Sequence, residues 1–334
     1  MTPDLIHTTP AGFYCPAGDF YIDPCRAVHR AVITHAHADH ACPGCANYLS
    51  TPPSALLLKA RLGARIRVQS LDYGKPLMFD GLSLSLHPAG HVLGSAQVRL
   101  EYDGQVWVLS GDFKIAPDPT CHPFEPLRCH TFIMESTFGL PIFQWPDQWE
   151  VVRDIESWWR TNQNEGRPSL LYAYALGKAQ RVLAAMDAAA GPIVVHAAVE
   201  KINRVYRQLG VRLAPTQAME ASDLPQTFGR TLFVLPPGAH GPSWTGHPLG
   251  PAKAMASGWM LLKRHLRQRD VERGFVLSDH ADWHDLLEAV NASQAEHVWL
   301  THGESPELLR WLRASGRQTR TVNPTDRPPA PSAH

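Results

Sequence analysis

The chain has 334 residues, of which 44% are hydrophobic and 19% are charged. At roughly 150 residues per domain this length predicts about two domains, and the apolar content excludes a disordered chain. Lys plus Arg equals Asp plus Glu at 31 each, so a nucleic-acid partner would have to meet a local basic patch rather than an overall positive charge.

The first residues of the chain and its six cysteines indicate which cellular compartment to expect. The first residues lack a basic segment followed by an apolar one, and no run is long and apolar enough to span a bilayer. We therefore expect a cytoplasmic protein with reduced thiols and no membrane partner.

The apolar, β-branched run at residues 31–34 predicts a buried strand. A six-residue HxHxDH pattern follows directly and contains His35, His37, Asp39 and His40. Imidazole nitrogens and carboxylate oxygens suit zinc, manganese and iron, and loops at strand ends often carry functional side chains. A His-rich surface loop or a tag is the alternative, but the position inside the chain and the presence of Asp39 favour a metal site.

Cys42 and Cys45 form a CxxC pattern directly after this cluster. A single CxxC without a second pair is weak evidence for zinc binding or redox chemistry. We therefore expect these two cysteines to pack within a loop.

Residues 1–140 alternate short β-rich runs with turns, and strands are predicted at 82–86 and 106–109. Two further ligand-type residues, His91 and Asp112, each follow a glycine that would let the backbone turn sharply. A lone His or Asp in such a place is more often structural. Two of them after an HxHxDH pattern favour additional metal ligands.

The middle of the chain, from about residue 147 to 265, has a different pattern. Helices are predicted at 147–160 and 178–186, and a strand is predicted at 193–195. This alternation predicts an α/β unit with parallel strands.

After residue 265 the order strand, His-bearing loop, helix occurs twice. The predicted elements are a strand at 274–277, a loop with His280, a helix at 282–290, a strand at 298–300, a loop with His302 and a helix at 306–312. The tail from residue 323 is rich in Pro and polar residues, and we expect it to be disordered.

The motifs together resemble those of the metallo-β-lactamase superfamily. The sequence GHVLGSA at 90–96 and SGDF at 110–113 follow HxHxDH in the expected order. Later motifs resemble its β-CASP nuclease group, namely ESTFG at 135–139, YALGKAQ at 174–180, SDHAD at 278–282 and THGE at 301–304. The group includes RNase J, the endonuclease of pre-mRNA cleavage and Artemis-type repair nucleases. The compact length is most similar to the bacterial DNA-ligase-associated exonucleases.

The resemblance implies a fold and its division. We expect an α/β protein with a metallo-β-lactamase αββα sandwich and an inserted α/β β-CASP domain. The expected limits are 1–145 and 266–322 for the two parts of the metallo-β-lactamase domain, 146–265 for the insertion and 323–334 for the disordered tail.

The resemblance also implies roles for particular residues. Two divalent ions, zinc or manganese, would bind in one centre. The first ion would be held by His35, His37 and His91, the second by Asp39, His40 and His302, and Asp112 would bridge the two.

The remaining expected roles surround these ligands. Asp23 would brace the ligand loop without binding metal. His280 would be a general acid oriented by Glu135, and Asp39 and Asp112 would count among the catalytic residues. The expected nucleic-acid contacts are Lys178, Ser257 and Gly258.

Such a constellation implies hydrolysis of phosphodiester bonds with 5′-phosphate products. The preferred hypothesis is a DNA exonuclease of DNA repair that prefers single strands and acts from 5′ to 3′. It would associate functionally with DNA ligase and helicase, as a monomer or homodimer. The alternatives are an RNase J-like or mRNA 3′-end-processing-like ribonuclease, a small-molecule hydrolase on the same scaffold, and a noncatalytic nucleic-acid-binding scaffold. DNA and RNA stay open as substrates, as do zinc and manganese as metals.

Overall fold

The part of the chain that a computed structural model describes comprises residues 4–219, 227–239, 250–303 and 305–322. This part is a mixed α/β protein, which confirms the predicted class. It divides into two compact units. Unit 1 takes in the described residues of Met1–Gln144 and His280–Ala333, and unit 2 takes in those of Trp145–Asp279.

The first sheet of unit 1 lies in the N-terminal part of the chain. Its strands are β1 (His7–Thr9), β2 (Gly12–Cys15), β3 (Phe20–Ile22), β4 (Arg30–Val32), β5 (Asn47–Ser50) and β6 (Val68–Ser70). They pair in sequence order, antiparallel up to β3 and parallel from β3 to β6. β4 covers the first half of the strand predicted at 31–34 and ends two residues earlier than expected. Helix α1 (Pro52–Leu62) connects β5 to β6 and begins after Thr51, whose side chain accepts a hydrogen bond from the Ser54 amide.

The second sheet of unit 1 combines strands from the N-terminal and C-terminal parts of the chain. Strands β12–β17 lie between them in sequence and belong to unit 2. The strands of the second sheet are β7 (Leu77–Phe79), β8 (Leu82–Pro88), β9 (Ala96–Tyr102), β10 (Gln105–Leu109), β11 (Thr131–Glu135), β18 (His297–Thr301) and β19 (Gln318–Thr321). Their order is β19–β18–β11–β10–β9–β8–β7. β11 pairs in parallel with β18, so the C-terminal segment completes a sheet begun by the N-terminal one.

Two apolar cores flank this second sheet. One contains side chains of both sheets, such as Phe13 of β2 and Leu84 of β8. The alternating leucines of β8 all lie in this core, as the predicted half-buried strand requires. The other core joins Phe132 of β11 to helices α6 (Trp283–Ser293) and α7 (Pro306–Ala314), which confirm the two predicted C-terminal helices.

Unit 2 is built around one parallel sheet. In chain order its elements are α2 (Gln148–Asn164), β12 (Ser169–Tyr172), α3 (Lys178–Ala185), β13 (Ile193–Val195), α4 (Ala197–Gln208), β14 (Gln217–Ala218), β15 (Leu232–Leu235), β16 (Ala252–Ala256), α5 (Lys263–Gln268) and β17 (Arg273–Phe275). Short 3-10 helices lie at Phe228–Arg230 and Gly258–Leu261. The strand order is β14–β13–β15–β12–β16–β17, and every pairing is parallel, as the sequence predicts.

The structure differs from the sequence-based division at one strand. β17 lies after the expected boundary at residue 265, yet it pairs in parallel with β16 of unit 2. Its Phe275 also belongs to the apolar core of that unit, together with Trp158 and Trp159 of α2. The sheet of unit 2 therefore extends to residue 275, while the assignment of the units to domains stays a prediction.

No helix in the described ranges is both long and apolar enough to cross a membrane. The tail at 323–334 and Glu304 of the THGE motif lie outside the described residues.

Candidate metal centre and active site

The HxHxDH loop follows β4 and is braced by the buried side chain of Asp23. Oδ1 of Asp23 accepts a hydrogen bond from the Thr34 amide (2.8 Å). Oδ2 of Asp23 accepts bonds from the Thr34 hydroxyl (2.6 Å) and from Nδ1 of His40 (2.6 Å). Asp23 therefore hydrogen-bonds to both ends of the loop, at Thr34 and His40, and its role in bracing a metal site stays a prediction.

These bonds also determine which imidazole nitrogens face the centre. Because the Thr34 hydroxyl donates to Asp23, it accepts the proton of His35 Nδ1, which lies 3.1 Å away. His40 donates from Nδ1 to the same carboxylate. In both rings Nε2 is then the nitrogen available to a metal, and one aspartate sets the tautomer of two histidines.

Cluster 1 consists of His35, His37, His91 and Asp112. Nδ1 of His37 lies 3.0 Å from Nε2 of His35 and 3.1 Å from Nε2 of His91. Oδ2 of Asp112 lies 3.5 Å from Nε2 of His35 and 3.9 Å from Nε2 of His91. Ligands about 2.0–2.1 Å from a tetrahedral ion would lie about 3.3 Å apart. The observed distances span that value, so the donor set fits a divalent ion.

Two glycines allow the close approach of the loops that carry His91 and Asp112. Gly90 has φ +73°, and a Cβ there would lie 2.1 Å from the Lys114 carbonyl oxygen. Gly111 has φ +59°, and a Cβ there would lie 2.7 Å from Cβ of Thr34. The turns predicted at these glycines are therefore confirmed, and side chains would not fit in either place.

Cluster 2 consists of His40, Asp112 and His302. Nε2 of His40 lies 3.3 Å from Oδ2 of Asp112, and Nδ1 of His302 lies 3.7 Å from Oδ1 of Asp112. Asp39 lies at the exposed edge, with Oδ2 3.7 Å from Nε2 of His40. Asp112 thus belongs to both clusters, in the position expected of a bridging ligand.

Burial and charge shift several pKa values in the two clusters. Burial lowers the pKa of His35 well below its usual value. Burial alone would also lower the pKa of His40, but Asp112, Asp39 and Asp23 raise it well above the usual value. For Asp112 burial acts upward, yet His40 and His280 hold the pKa of this carboxyl well below its usual value. Asp112 is therefore a carboxylate, the form that binds a cation.

His280 stands beside the clusters and is held by Glu135. Nδ1 of His280 donates to Oε2 of Glu135 at 2.8 Å. Glu135 is 1% exposed and also accepts bonds from the Phe113 amide (2.8 Å) and the Thr137 hydroxyl (2.6 Å). Burial raises the pKa of Glu135, against the attraction of His280. His280 is thereby oriented with its Nε2 free of the bond to Glu135.

A different grouping is also geometrically available to this histidine. Ligand atoms of His280, Glu135 and Asp112 lie within 4.8 Å of one another. The roles of His280 as an acid and of Glu135 as its partner stay predictions, since a third metal-binding arrangement would use the same atoms.

The residues predicted to contact nucleic acid lie inside unit 2. Lys178 opens α3 as predicted, but it is 4% exposed and its Nζ donates to Oδ1 of Asp279 at 2.7 Å. Ser257 is 2% exposed and caps a short 3-10 helix, and Gly258 is also buried. A phosphate contact by Lys178 would therefore compete with a buried ion pair, and all three contacts stay predictions.

Arg61 contacts the ligand loop, which the sequence did not indicate. Its Nη1 donates to the carbonyl oxygen of Ala36 at 2.6 Å, between the first two ligand histidines. In the sequence Arg61 belongs to a basic segment at residues 59–67 and resembles a solvated residue. Its position in the last turn of α1 could have drawn attention to it. The sequence does not reveal, however, that its partner is the carbonyl group of Ala36.

Several known proteins are similar to this chain in sequence. A protein named Probable DNA ligase from Opitutus terrae is 31% identical over 308 residues, which are 91% of this chain and 30% of that protein. Endoribonuclease YSH1 from Candida albicans is 30% identical over 123 residues, or 36% of this chain and 14% of that protein. Transcription termination factor FttA from Pyrococcus abyssi is 30% identical over 195 residues, or 47% of this chain and 30% of that protein.

These similarities agree with the two clusters and the motifs that form them. The relatives support the resemblance of this chain to the β-CASP group of the metallo-β-lactamase superfamily. The chain matches between 14% and 30% of the length of the three relatives. A search of family models gave no match.

A solved structure is similar in fold to this chain. A protein of unknown function from Enterococcus faecalis V583 superposes with a TM-score of 0.59 at 12% identity. The superposition covers 87% of this chain and 78% of that chain. At this identity the similarity concerns the fold alone.

Proposed function

We propose that this protein is a metal-dependent phosphodiesterase that acts on nucleic acid. The observation that carries the proposal is the sharing of Asp112 by two ligand clusters, beside a histidine held by a buried glutamate. Paired metal sites of this kind suit the in-line displacement of a phosphodiester. A small-molecule hydrolase would not need the dyad of His280 and Glu135, and a noncatalytic scaffold would not need a complete ligand set.

The proposal includes a finer description of the fold. Unit 1 is an αββα sandwich, because its two sheets share one core, α1 contacts β5 and β6, and α6 and α7 cover the other face of the second sheet. Unit 2 is the inserted β-CASP domain. Its C-terminal limit is residue 279 rather than 265, since β17 belongs to its sheet.

Two divalent ions, zinc or manganese, would occupy clusters 1 and 2. Such ions neutralise charge on phosphoryl oxygens and activate water. His35, His37 and His91 would hold the first ion, and His40, His302 and Asp39 would hold the second. Asp112, which belongs to both clusters, would be shared by the two sites.

His280 supplies the proton that the departing 3′ oxygen needs. Its Nδ1 is bonded to Glu135, so the proton comes from Nε2. The buried carboxylate favours the charged imidazole and fixes the plane of the ring. The products carry a 5′ phosphate and a 3′ hydroxyl.

DNA is the proposed substrate, and the preferred form is a single strand degraded from its 5′ end. The relative named as a probable DNA ligase matches 91% of this chain, whereas the one named as an endoribonuclease matches 36%. We also propose that the protein functions in DNA repair in the cytoplasm, in association with ligase and helicase. An RNA substrate is the alternative that the endoribonuclease relative supports.

The test compares single-stranded DNA and RNA of the same sequence, labelled at either end, with the zinc- or manganese-loaded protein. We expect early release of 5′-terminal nucleotides from DNA and none with Asp112→Asn. His284→Ala, at an exposed position of α6, is the matched control and should retain full activity. Degradation of RNA alone would favour the ribonuclease, early release of 3′-terminal nucleotides would reverse the polarity, and loss of neither strand would contradict nuclease function.

A further inference from the structure

The turn Cys42–Cys45 contains two thiols that the proposed hydrolysis does not use. Both are free, and their Sγ atoms lie 3.7 Å apart. Gly44 has φ +88°, a conformation that favours glycine and folds the chain back between the cysteines. The two sulfur atoms are therefore held within reach of each other by the turn itself.

Tyr48 of β5 fixes both ends of this turn. Its hydroxyl donates to the carbonyl oxygen of Cys42 at 2.8 Å and accepts from the amide of Cys45 at 3.1 Å. Tyr48 is 2% exposed, so the anchor belongs to the core of unit 1. The buried tyrosine therefore holds the two ends of the turn together, while Cys42 remains partly exposed to solvent.

Two structural explanations for the pair are weaker. A structural zinc site takes four ligands, but among the described residues no His, Asp, Glu or further Cys joins the two sulfur atoms in a cluster of ligand atoms within 4.8 Å. Packing alone accounts for buried cysteines, and it leaves the exposure of Cys42 and the facing sulfur atoms unexplained.

We propose that Cys42 and Cys45 are a modification site, a dithiol that hydroperoxides oxidise to an intramolecular disulfide. The Cys45 thiolate attacks one peroxide oxygen, the O–O bond breaks, and Cys45 becomes a sulfenic acid with release of one water or alcohol. The Cys42 sulfur then attacks Sγ of Cys45 and displaces the oxygen as water. Two thiols lose two electrons and two protons, and one hydroperoxide is reduced.

The electrostatics of the turn agree with this order of events. The hydrogen bond between the two sulfur atoms lowers the pKa of Cys45 to about 6. Cys45 is then the better nucleophile and Cys42 the resolving thiol. Cys45 is 9% exposed, which admits a peroxide more readily than a bulky disulfide.

The test uses the full chain loaded with zinc, an ion without redox chemistry of its own. The reduced protein is treated with hydrogen peroxide, remaining thiols are blocked with N-ethylmaleimide, and the products are examined by intact mass and peptide mapping. We expect a loss of two blockable thiols, a disulfide within the 42–45 peptide, and full recovery after dithiothreitol.

Three variants make the result specific. Cys42→Ser and Cys45→Ser should form no intramolecular disulfide, and Cys25→Ser, at another partly exposed cysteine, should behave like the unaltered protein. Circular dichroism verifies the fold, and Cys42→Ser carries the test if Cys45→Ser does not fold, because Cys42 is less buried. A disulfide that includes Cys25, or the retention of all six thiols at a peroxide excess that oxidises free cysteine, overturns the proposal.

Discussion

Asp23 connects the two metal clusters through hydrogen bonds rather than through a metal. Oδ2 of Asp23 accepts hydrogen bonds from the Thr34 hydroxyl and from His40. The Thr34 hydroxyl in turn accepts a hydrogen bond from His35 and orients its ring. His35 belongs to cluster 1 and His40 to cluster 2. Removal of the Asp23 carboxylate should therefore weaken metal binding at both clusters. Loss of a single ligand should weaken mainly the cluster to which that ligand belongs.

Asp23→Asn should weaken the binding of both ions. The amide cannot accept from both the hydroxyl and the imidazole through its nitrogen, and such supporting changes typically cost about 10- to 100-fold in metal affinity. Competition with a chromogenic chelator measures the two dissociation constants. Asp19→Asn, on the exposed turn before β3, is the control and should bind like the unaltered protein. Weakening of one site only would contradict the shared bracing.

His280→Ala should reduce cleavage by about 10²–10⁴-fold while both ions are retained, because a general acid contributes about that much. A substrate with a 3′-bridging sulfur needs no protonation of its leaving group, so the variant should cleave it nearly as fast as the unaltered protein does. Equal loss on both substrates would argue against proton donation. Loss of an ion in the variant would indicate that His280 is a ligand.

Arg61→Met should lower the metal affinity of cluster 1 by about tenfold. Hydrogen bonds from charged groups contribute about 1.5–3 kcal/mol, and about 1.4 kcal/mol corresponds to tenfold in binding. The variant keeps the aliphatic contacts of the side chain and removes the bond to Ala36. Metal titration measures the change, and Arg65→Met, at an exposed position, provides the reference. Equal affinities in the two variants would exclude a positioning role.

The grouping of the candidate ligands was predictable because the spacing within their motifs is local. HxHxDH and the two glycine turns place each donor at the end of a strand, and the structure brings these donors together around Asp112. The bond from Arg61 and the chain from Asp23 through Thr34 depend on tertiary contacts between residues distant in sequence. A single sequence holds no signal for such contacts.

At the scale of elements, the predicted starts of two helices, α2 and α6, coincide with residues that cap them in the structure. Asp147 accepts bonds from the amides of Trp149 (2.9 Å) and Glu150 (3.0 Å) at the start of α2, and Asp282 caps α6 in the same way. The strand β17 was also recognised, but its sheet was not. Strand patterns report burial and alternation, whereas the choice of neighbour depends on the whole topology.

Asp147→Ala should destabilise unit 2 by about 1 kcal/mol, because the first amides of α2 lose their acceptor. Asp147→Asn, which keeps an acceptor oxygen, should recover most of the loss. Urea unfolding followed by circular dichroism measures both. The same stability for the alanine and asparagine variants would show that the cap bonds contribute nothing.

At the scale of the whole molecule, the candidate ligands and the histidine beside them come from two distant stretches of chain. His35 to Asp112 precede unit 2 in sequence, and His280 and His302 follow it. Both stretches contribute strands to one sheet through the pairing of β11 with β18. A metal bound by cluster 2 would therefore link the two stretches of unit 1.

Metal binding should accordingly protect both stretches from hydrogen exchange in parallel. At free metal about 100 times the dissociation constant, the stabilisation is about 2.7 kcal/mol. Peptides covering 34–42 and 298–303 should both slow, with α4, which carries no ligand, as the reference. A gain in protection from hydrogen exchange that is confined to residues 34–42 would contradict the assignment of His302 to the centre.

The interrupted order of unit 1 has a consequence during translation. A ribosome completes Trp145–Asp279 before it makes the strands β18 and β19, and chains generally fold from the N-terminal side as they emerge. Until then β11 lacks one neighbouring strand, and the centre lacks His280 and His302. Under the proposed function, the centre that cuts phosphodiesters would therefore be completed only after the segment carrying His302 has been synthesised, whereas unit 2 is already finished by then.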